Sequence, residues 1–130
     1  MITSISSGLL VFEKLKNNTE LKDIVSDRIY PVLPQHKTEF PFLTYSKETA
    51  KGVYTKDLLT HDEAIFSFTA WSNNYSDTCN VLEAVREIFD GYKDKFFRQC
   101  VMIDNSDEAA DGLFAQAIIF KFTIRPINTN

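Results

Sequence analysis

The chain has 130 residues, 44% of them hydrophobic and eleven of them phenylalanine, with four prolines and four glycines. That composition predicts one domain over residues 1–130, able to bury a core without staples and too apolar to stay disordered. Fourteen basic against eighteen acidic residues leave a net charge of −4, which provides no general attraction to phosphate backbones and argues against sequence-specific nucleic-acid binding.

The first expected element is a helix over residues 5–16, where Ile5, Leu9, Val11, Phe12 and Leu15 fall at helical spacings and Ser6 or Ser7 stands at the N-cap. A short helical turn over Thr19–Val25, capped by Asn18 or Thr19, would bury Leu21, Ile24 and Val25. Residues 28–34 alternate, but Pro31 and Pro34 cannot donate an amide proton to a ladder, which places the segment at an edge or keeps it short. A strand follows over residues 40–46. Residues 48–62 are mixed in character and too many for a tight turn, predicting a long β-hairpin arm or a loop.

Residues 64–72 read as the central strand, with Phe66, Phe68 and Ala70 on one face and Ile65, Ser67, Thr69 and Trp71 on the other. The Phe face should take the helices. The next helix carries Val81, Leu82, Val85, Ile88 and Phe89 as its stripe, with Asn74 and Asp77 spaced as a capping box and Gly91 at the left-handed C-cap. Strands over residues 97–103 and 113–127 close the chain, the latter alternating Phe114, Gln116, Ile118, Phe120, Phe122 and Ile124 with its other face. The result is an α+β fold of order αβββαββ, a mostly antiparallel sheet of four or five strands with two helices packed on one face.

No catalytic constellation emerges, and enzyme is the weaker class. Cys79 and Cys100 lie far apart with no clustered histidines, as expected of two free thiols rather than a metal or redox pair. Residues 104–112 concentrate Asp104, Asp107, Glu108 and Asp111 between two strands, but without EF-hand spacing they read as a solvated hairpin loop. His36 and His61 stand in polar segments with no telling partner, Ser46, Ser67 and Ser72 lack a nucleophile elbow, and no glycine-rich phosphate loop occurs. No cofactor is expected. No run approaches the ~20 apolar residues of a membrane span, and the opening residues lack the basic start of a signal peptide, so use in a cytoplasm and no membrane partner are expected.

Surfaces hold more promise than chemistry. Lys47, Lys51 and Lys56 with Tyr54 form the one candidate nucleic-acid patch, but nearby acidic residues offset it. Tyr54, Leu58 and Leu59 place apolar side chains in an otherwise polar arm, as happens where a partner covers them. Ile65, Trp71, Ala115, Ala117 and Ile119 make the outer sheet face too apolar for simple exposure. Either another subunit covers it, or the arm, Tyr45 or the first proline-rich strand folds over it within the chain.

The ordered segments together resemble the tail-completion, or tail-terminator, family of long-tailed phages and prophages, whose fold is related to that of the minor tail protein U of phage lambda. The pieces are the N-terminal helix, Leu21 to Val25 leading into Arg28-Ile29-Tyr30-Pro31, Phe40-Pro41-Phe42-Leu43-Thr44-Tyr45, and Phe66 to Ser72 entering a helix, with Trp71-Ser72 as the anchor. The arm and the acidic segment depart from the family, so no contact residue carries over. The resemblance implies a virion tail protein, assembled in the host cytoplasm. It implies a ring of six copies that caps the tail tube, stops its growth and meets the head connector. A head-closure or connector ring is the near alternative, and a small monomeric protein-binding module a further one.

Overall fold

Two long strands with apolar residues at every second position organise the molecule. The computed structural model describes residues 1–33, 38–56 and 58–127, so Pro34, His36 and Asp57 lie outside the described residues. Five strands, β1 (Ile29–Pro31), β2 (Phe42–Thr55), β3 (Leu58–Ser72), β4 (Phe97–Ala110) and β5 (Leu113–Ile124), form one sheet in the order β1-β2-β3-β5-β4. Three α-helices, α1 (Ser7–Lys16), α2 (Thr19–Val25) and α3 (Tyr75–Phe89), accompany it.

The α+β class stands, with two corrections. The element order is ααβββαββ, because the turn after Asn18 grows into a helix of its own, capped by Asn18 Oδ1 accepting from Leu21 N at 2.9 Å. The sheet is mixed, because β1 runs parallel to β2, pairing Ile29 with Leu43 and Pro31 with Tyr45, while every other pairing is antiparallel. The chain therefore enters β2 in the direction of β1 instead of pairing with it as a hairpin. Pro31 thereby sits on an edge strand, where a missing donor is tolerated.

One sheet face carries the core. Phe66, Phe68 and Ala70 of β3 and Ile118, Phe120, Phe122 and Ile124 of β5 are buried there against Val81, Leu82, Val85 and Phe89 of α3, with Val11 and Leu15 of α1 and Leu21 and Val25 of α2 joining them. Phe68 is the hub. Its ring centroid lies 5.3 Å from Phe89, stacked, and 6.0 Å from Phe120 and 6.5 Å from Phe122, both edge-on, arrangements that favour aromatic rings.

The helix ends show what holds the termini. Ser6 stands at the N-cap position of α1, as expected, but its side chain makes no cap hydrogen bond. Thr3 Oγ1 accepts from Ile5 N at 3.2 Å, and Ser7 Oγ donates to the Ser4 carbonyl, because the entry tightens into a 3-10 turn over Ser4–Ser6. That turn is fixed from the sheet: Asp62 Oδ2 accepts from Ser4 N at 3.0 Å, and Lys47 Nζ donates to the Ser4 and Ile5 carbonyls at 2.9 Å each. At α3, Asn74 Oδ1 accepts from Ser76 N, while the expected capping box closes through Ser72: Asn74 N donates to Ser72 Oγ, which donates to Asp77 Oδ2, both at 3.1 Å. Gly91 takes the left-handed conformation expected of it, with φ 77°.

The acidic segment is strand, not loop. β4 continues to Ala110 and the hairpin closes in two residues, Asp111 (φ 54°) and Gly112 (φ 78°), the pair of positive φ values that matches the twist of two antiparallel strands. Its polar composition is compatible with a strand because β4 is an edge, wet on both sides for this stretch. β5 ends at Ile124, short of the expected Ile127, which instead bridges to Ile2.

Phe68 is fully buried among four rings. Phe68→Ala is therefore expected to cost about 3–5 kcal/mol, measured as a fall in the denaturant midpoint.

Candidate functional site

The hairpin of β2 and β3 outgrows the sheet that carries it. β5 accompanies β3 only as far as the Asp62–Ile124 pair, so residues 58–61 are paired with β2 alone and form an arm that projects about 13 Å at ~3.3 Å per residue. At its tip Tyr54 is 64%, Leu58 72% and Leu59 42% exposed. The three side chains sequence reasoning selected are thus brought together, Tyr54 opposite Leu59 and Leu58 opposite Thr55. A Cβ at Gly52 would lie 2.9 Å from the Tyr54 ring, so the missing side chain lets that ring lie back along its own strand.

The base of the arm is an ionic node that sequence reasoning missed. Glu63 receives Lys121 Nζ at 3.3 Å, Lys51 Nζ at 3.6 Å and His61 Nε2 at 3.6 Å. The hydrogen bond from Lys121 holds the Glu63 carboxyl below its ordinary value of 4.5, helped by His61 and Lys51 and opposed by partial desolvation. Cross-strand neighbours are invisible until register is known, although the alternation of Lys51, Glu63 and Lys121 on one face was a usable signal. His61 is accordingly a paired residue of the arm. Lys47 is occupied by carbonyls of the first turn, and with Lys51 bridged to Glu63 the candidate nucleic-acid patch is partly neutralised from within.

The second surface is the sheet face turned away from the helices. Ile65, Trp71, Ala115, Ala117 and Ile119 alternate with the buried residues and are each half-buried. Trp71 is accounted for inside the chain: its ring stacks 6.0 Å from Phe42 and its Nε1 donates to Thr44 Oγ1 at 3.0 Å, while Tyr30 tilts against Phe42 at 6.2 Å. The first proline-rich strand does not fold over this face but extends the sheet as its edge, with Tyr30 packed beside Phe42 at one end. Tyr45 does not cover it either, since it points to the helix side and stacks on Phe12. The middle of the face presents small side chains in rows, Thr44, Thr69 and Ala117, then Ser46, Ser67 and Ile119.

A groove of about 680 Å³ lies on the helix side, lined by Leu10, Ile88, Tyr92, Phe96 and Ile127 with Lys14 and Asp94 at its polar end. Lys14 Nζ stands 4.0 Å over the Tyr92 ring, and Tyr92 donates to Asp94 Oδ2 at 2.8 Å. Burial opposes the Asp94 charge, but donation from Phe97 N, the Tyr92 hydroxyl and Phe96 N, together with Lys14, holds its carboxyl below the usual range. Asp94 is a structural acceptor that ties the start of β4.

Other residues singled out from the sequence take structural positions. Desolvation first, then the Asp94 charge, push the Cys100 thiol up to about 12, which keeps it protonated and unreactive. Cys79 accepts from Gln116 Nε2 at 3.4 Å. Asp107 accepts from the Tyr75 hydroxyl at 2.9 Å, and this bond, with Cys79 behind it, pushes Tyr75 up to about 12. Ser46 donates to Glu48 and Ser72 belongs to the α3 cap. Among the described residues no group of three His, Cys, Asp or Glu side chains is placed to hold a metal ion, and no helix is long and apolar enough to cross a membrane.

Compared with known proteins, the chain matches no protein-family model and no curated protein sequence. Its fold is that of a chain in the virion of a native gene transfer agent particle. The TM-score is 0.74 over 88% of this chain and 90% of that one, at 11% sequence identity. The likeness is one of fold.

Because Glu63 has a depressed pKa in the folded protein, its contribution to stability is present above the unfolded value near 4.5 and is lost as the pH falls through the folded value. Glu63→Gln should lower the melting temperature at pH 7, and the difference from wild type should vanish as the pH is taken well below 4.5. A difference that persists unchanged into acid would refute the ionic origin.

Proposed function

We propose that this chain is a structural subunit of a phage or phage-like virion, acting in tail completion: a single tail-terminator-like domain that closes into a ring on the tail tube, ends its polymerisation and joins it to the head connector. The observation that carries the reading is the likeness in fold to a virion chain over nearly the whole length of both proteins. The ordered segments around Trp71-Ser72 agree with it, since they resemble the tail-terminator family.

The surfaces suit assembly. A ring built by head-to-tail contacts needs two different patches on each subunit, and the closing rotation decides how many copies it takes. The arm tip of Tyr54, Leu58 and Leu59 is one candidate patch, and the open sheet face with Ile65, Ala115, Ala117 and Ile119 supplies another. Six copies, with the tail-tube protein below and connector proteins above, is the arrangement the family resemblance implies. In this reading the protein carries out no catalysis and takes no cofactor, and it works in the virion tail after assembly in the host cytoplasm. A net charge of −4 suits a lumen that DNA must traverse without sticking.

The arm gives the test. Leu58 and Tyr54 are exposed and lie outside the buried core, so Leu58→Asp combined with Tyr54→Asp should change stability by less than about 0.5 kcal/mol. The same variant should lose ring formation, or binding to tail tubes, in sedimentation and electron microscopy. A wild-type chain that neither forms rings at high concentration nor binds tail-tube subunits would sink the reading.

A further inference from the structure

The sheet has two long open edges, and they are complementary. On one side β1 covers β2 only at Leu43, Thr44 and Tyr45, and among the described residues no main-chain group pairs with residues 46–55 on their outer side. On the other side Gly91 N and Asp94 N donate to the Cys100 and Phe97 carbonyls, so the start of β4 is covered, but among the described residues no main-chain group outside the β4–β5 ladder pairs with residues 101–110, and Asn105 N donates to its neighbour Asp104 Oδ1. An uncovered edge of this length is a template for another strand.

We infer that these edges pair with each other between copies: residues 101–110 of β4 in one copy lie antiparallel to residues 46–55 of β2 in the next, joining the sheets into one continuous belt. The inference rests on the ring reading above and places its closing contact at the sheet edges, with the arm strand of β2 on one side, rather than on the open sheet face. Three observations carry it. The first is direction. β4 runs antiparallel to β5, β5 to β3 and β3 to β2, so β4 is antiparallel to β2. A rotation about an axis along the strands preserves direction and brings the two edges together antiparallel.

Charge is the second. The open stretch of β4 carries Asp104, Asp107 and Glu108 and no basic residue, whereas the β2 edge presents Lys51, 72% exposed even while bridged to Glu63, Lys47 being held by the Ser4 and Ile5 carbonyls. The third is stagger. Within its open stretch each edge strand has one extra residue, Glu48 in β2 and Ile103 in β4, and both bulges flank the same row of the sheet, Lys47-Phe66-Phe120-Met102. Lys51 and Asp104 both lie on the open face, so setting them opposite each other keeps the faces matched and centres the two open stretches. Asp104 is level, through Ile119 and Ser67, with Ser46 of its own chain. Because Glu48 is the bulge residue, Ser46 and Lys51 lie four rows apart, the Ser67 and Glu63 rows of β3, so the pairing shifts the next copy by about 13 Å across four strand spacings of about 19 Å. Strands then lean roughly 35° from the ring axis, at the lower end of the ~35–45° that closed barrels adopt.

The experiment is a charge swap read on the assembled chain. Lys51→Glu and Asp104→Lys alone should each weaken ring formation roughly tenfold per interface, because like charges then face across the new ladder. The double variant should recover it. Sedimentation and electron microscopy report assembly, and thermal unfolding reports the fold of each variant. Hydrogen exchange on the unmodified protein gives a readout independent of any variant, since amides of residues 46–55 and 101–110 should slow on assembly. Wild-type rings whose two edges exchange as in the monomer, or single variants that assemble like wild type, would overturn the edge pairing and leave the ring reading standing. A wild-type chain that forms no ring, alone or on tail tubes, would overturn both.

Discussion

Everything in this molecule depends on a sheet that is buried on one face only. The rings of Phe66, Phe68, Phe89, Phe120 and Phe122 tie β3 and β5 to α3, and full burial of such side chains contributes about 1.5–3 kcal/mol each. Because the alternation has a period of two, committing these residues to the helix side commits Ile65, Trp71, Ala115, Ala117 and Ile119 to the other. The core and the open face are one decision. A surface that would be costly to leave wet is thus a direct consequence of how the interior is packed.

The same economy of elements leaves the edges open. Three helices on one side suffice to cover the aromatic core, and a three-residue β1 protects only the top of β2. Bulges at Glu48 and Ile103 bend both edges at the level of the Phe66–Phe120 pair, a device that twists edges away from indiscriminate pairing. In the proposed edge pairing, a second copy of the chain supplies the partner of matching curvature. Several polar side chains position backbone, among them Asp62, Lys47 and Asp94.

The N-terminal turn illustrates that positioning. Asp62 and Lys47 reach from adjacent strands to the amide and carbonyls of Ser4 and Ile5, so the entry of the first helix is clamped at the level where the arm leaves the sheet. Glu63, one residue on and on the opposite face, gathers Lys51, His61 and Lys121 across three strands. The two acidic neighbours brace the arm from both sides, one through the backbone and one through charge.

What the sequence determined by itself was everything local. Period-two runs identified β3 and β5, period-3.6 spacing identified α3, Gly91 marked its end, and Asn18 marked the start of α2. Even the apolar arm tip and the half-buried face were legible, because both are departures from alternation that can be read in one strand at a time. Only tertiary structure decided the rest. The parallel placement of β1, the clamp of Asp62 and Lys47 on the first turn, the Glu63 node and the strand character of Asp104, Asp107 and Glu108 each depend on which segments become neighbours, and a polar run becomes an edge strand only when a partner such as β5 fixes its backbone. Neighbourhood is a property of the whole packed chain. A single sequence encodes it through the sum of many weak preferences rather than through any one motif.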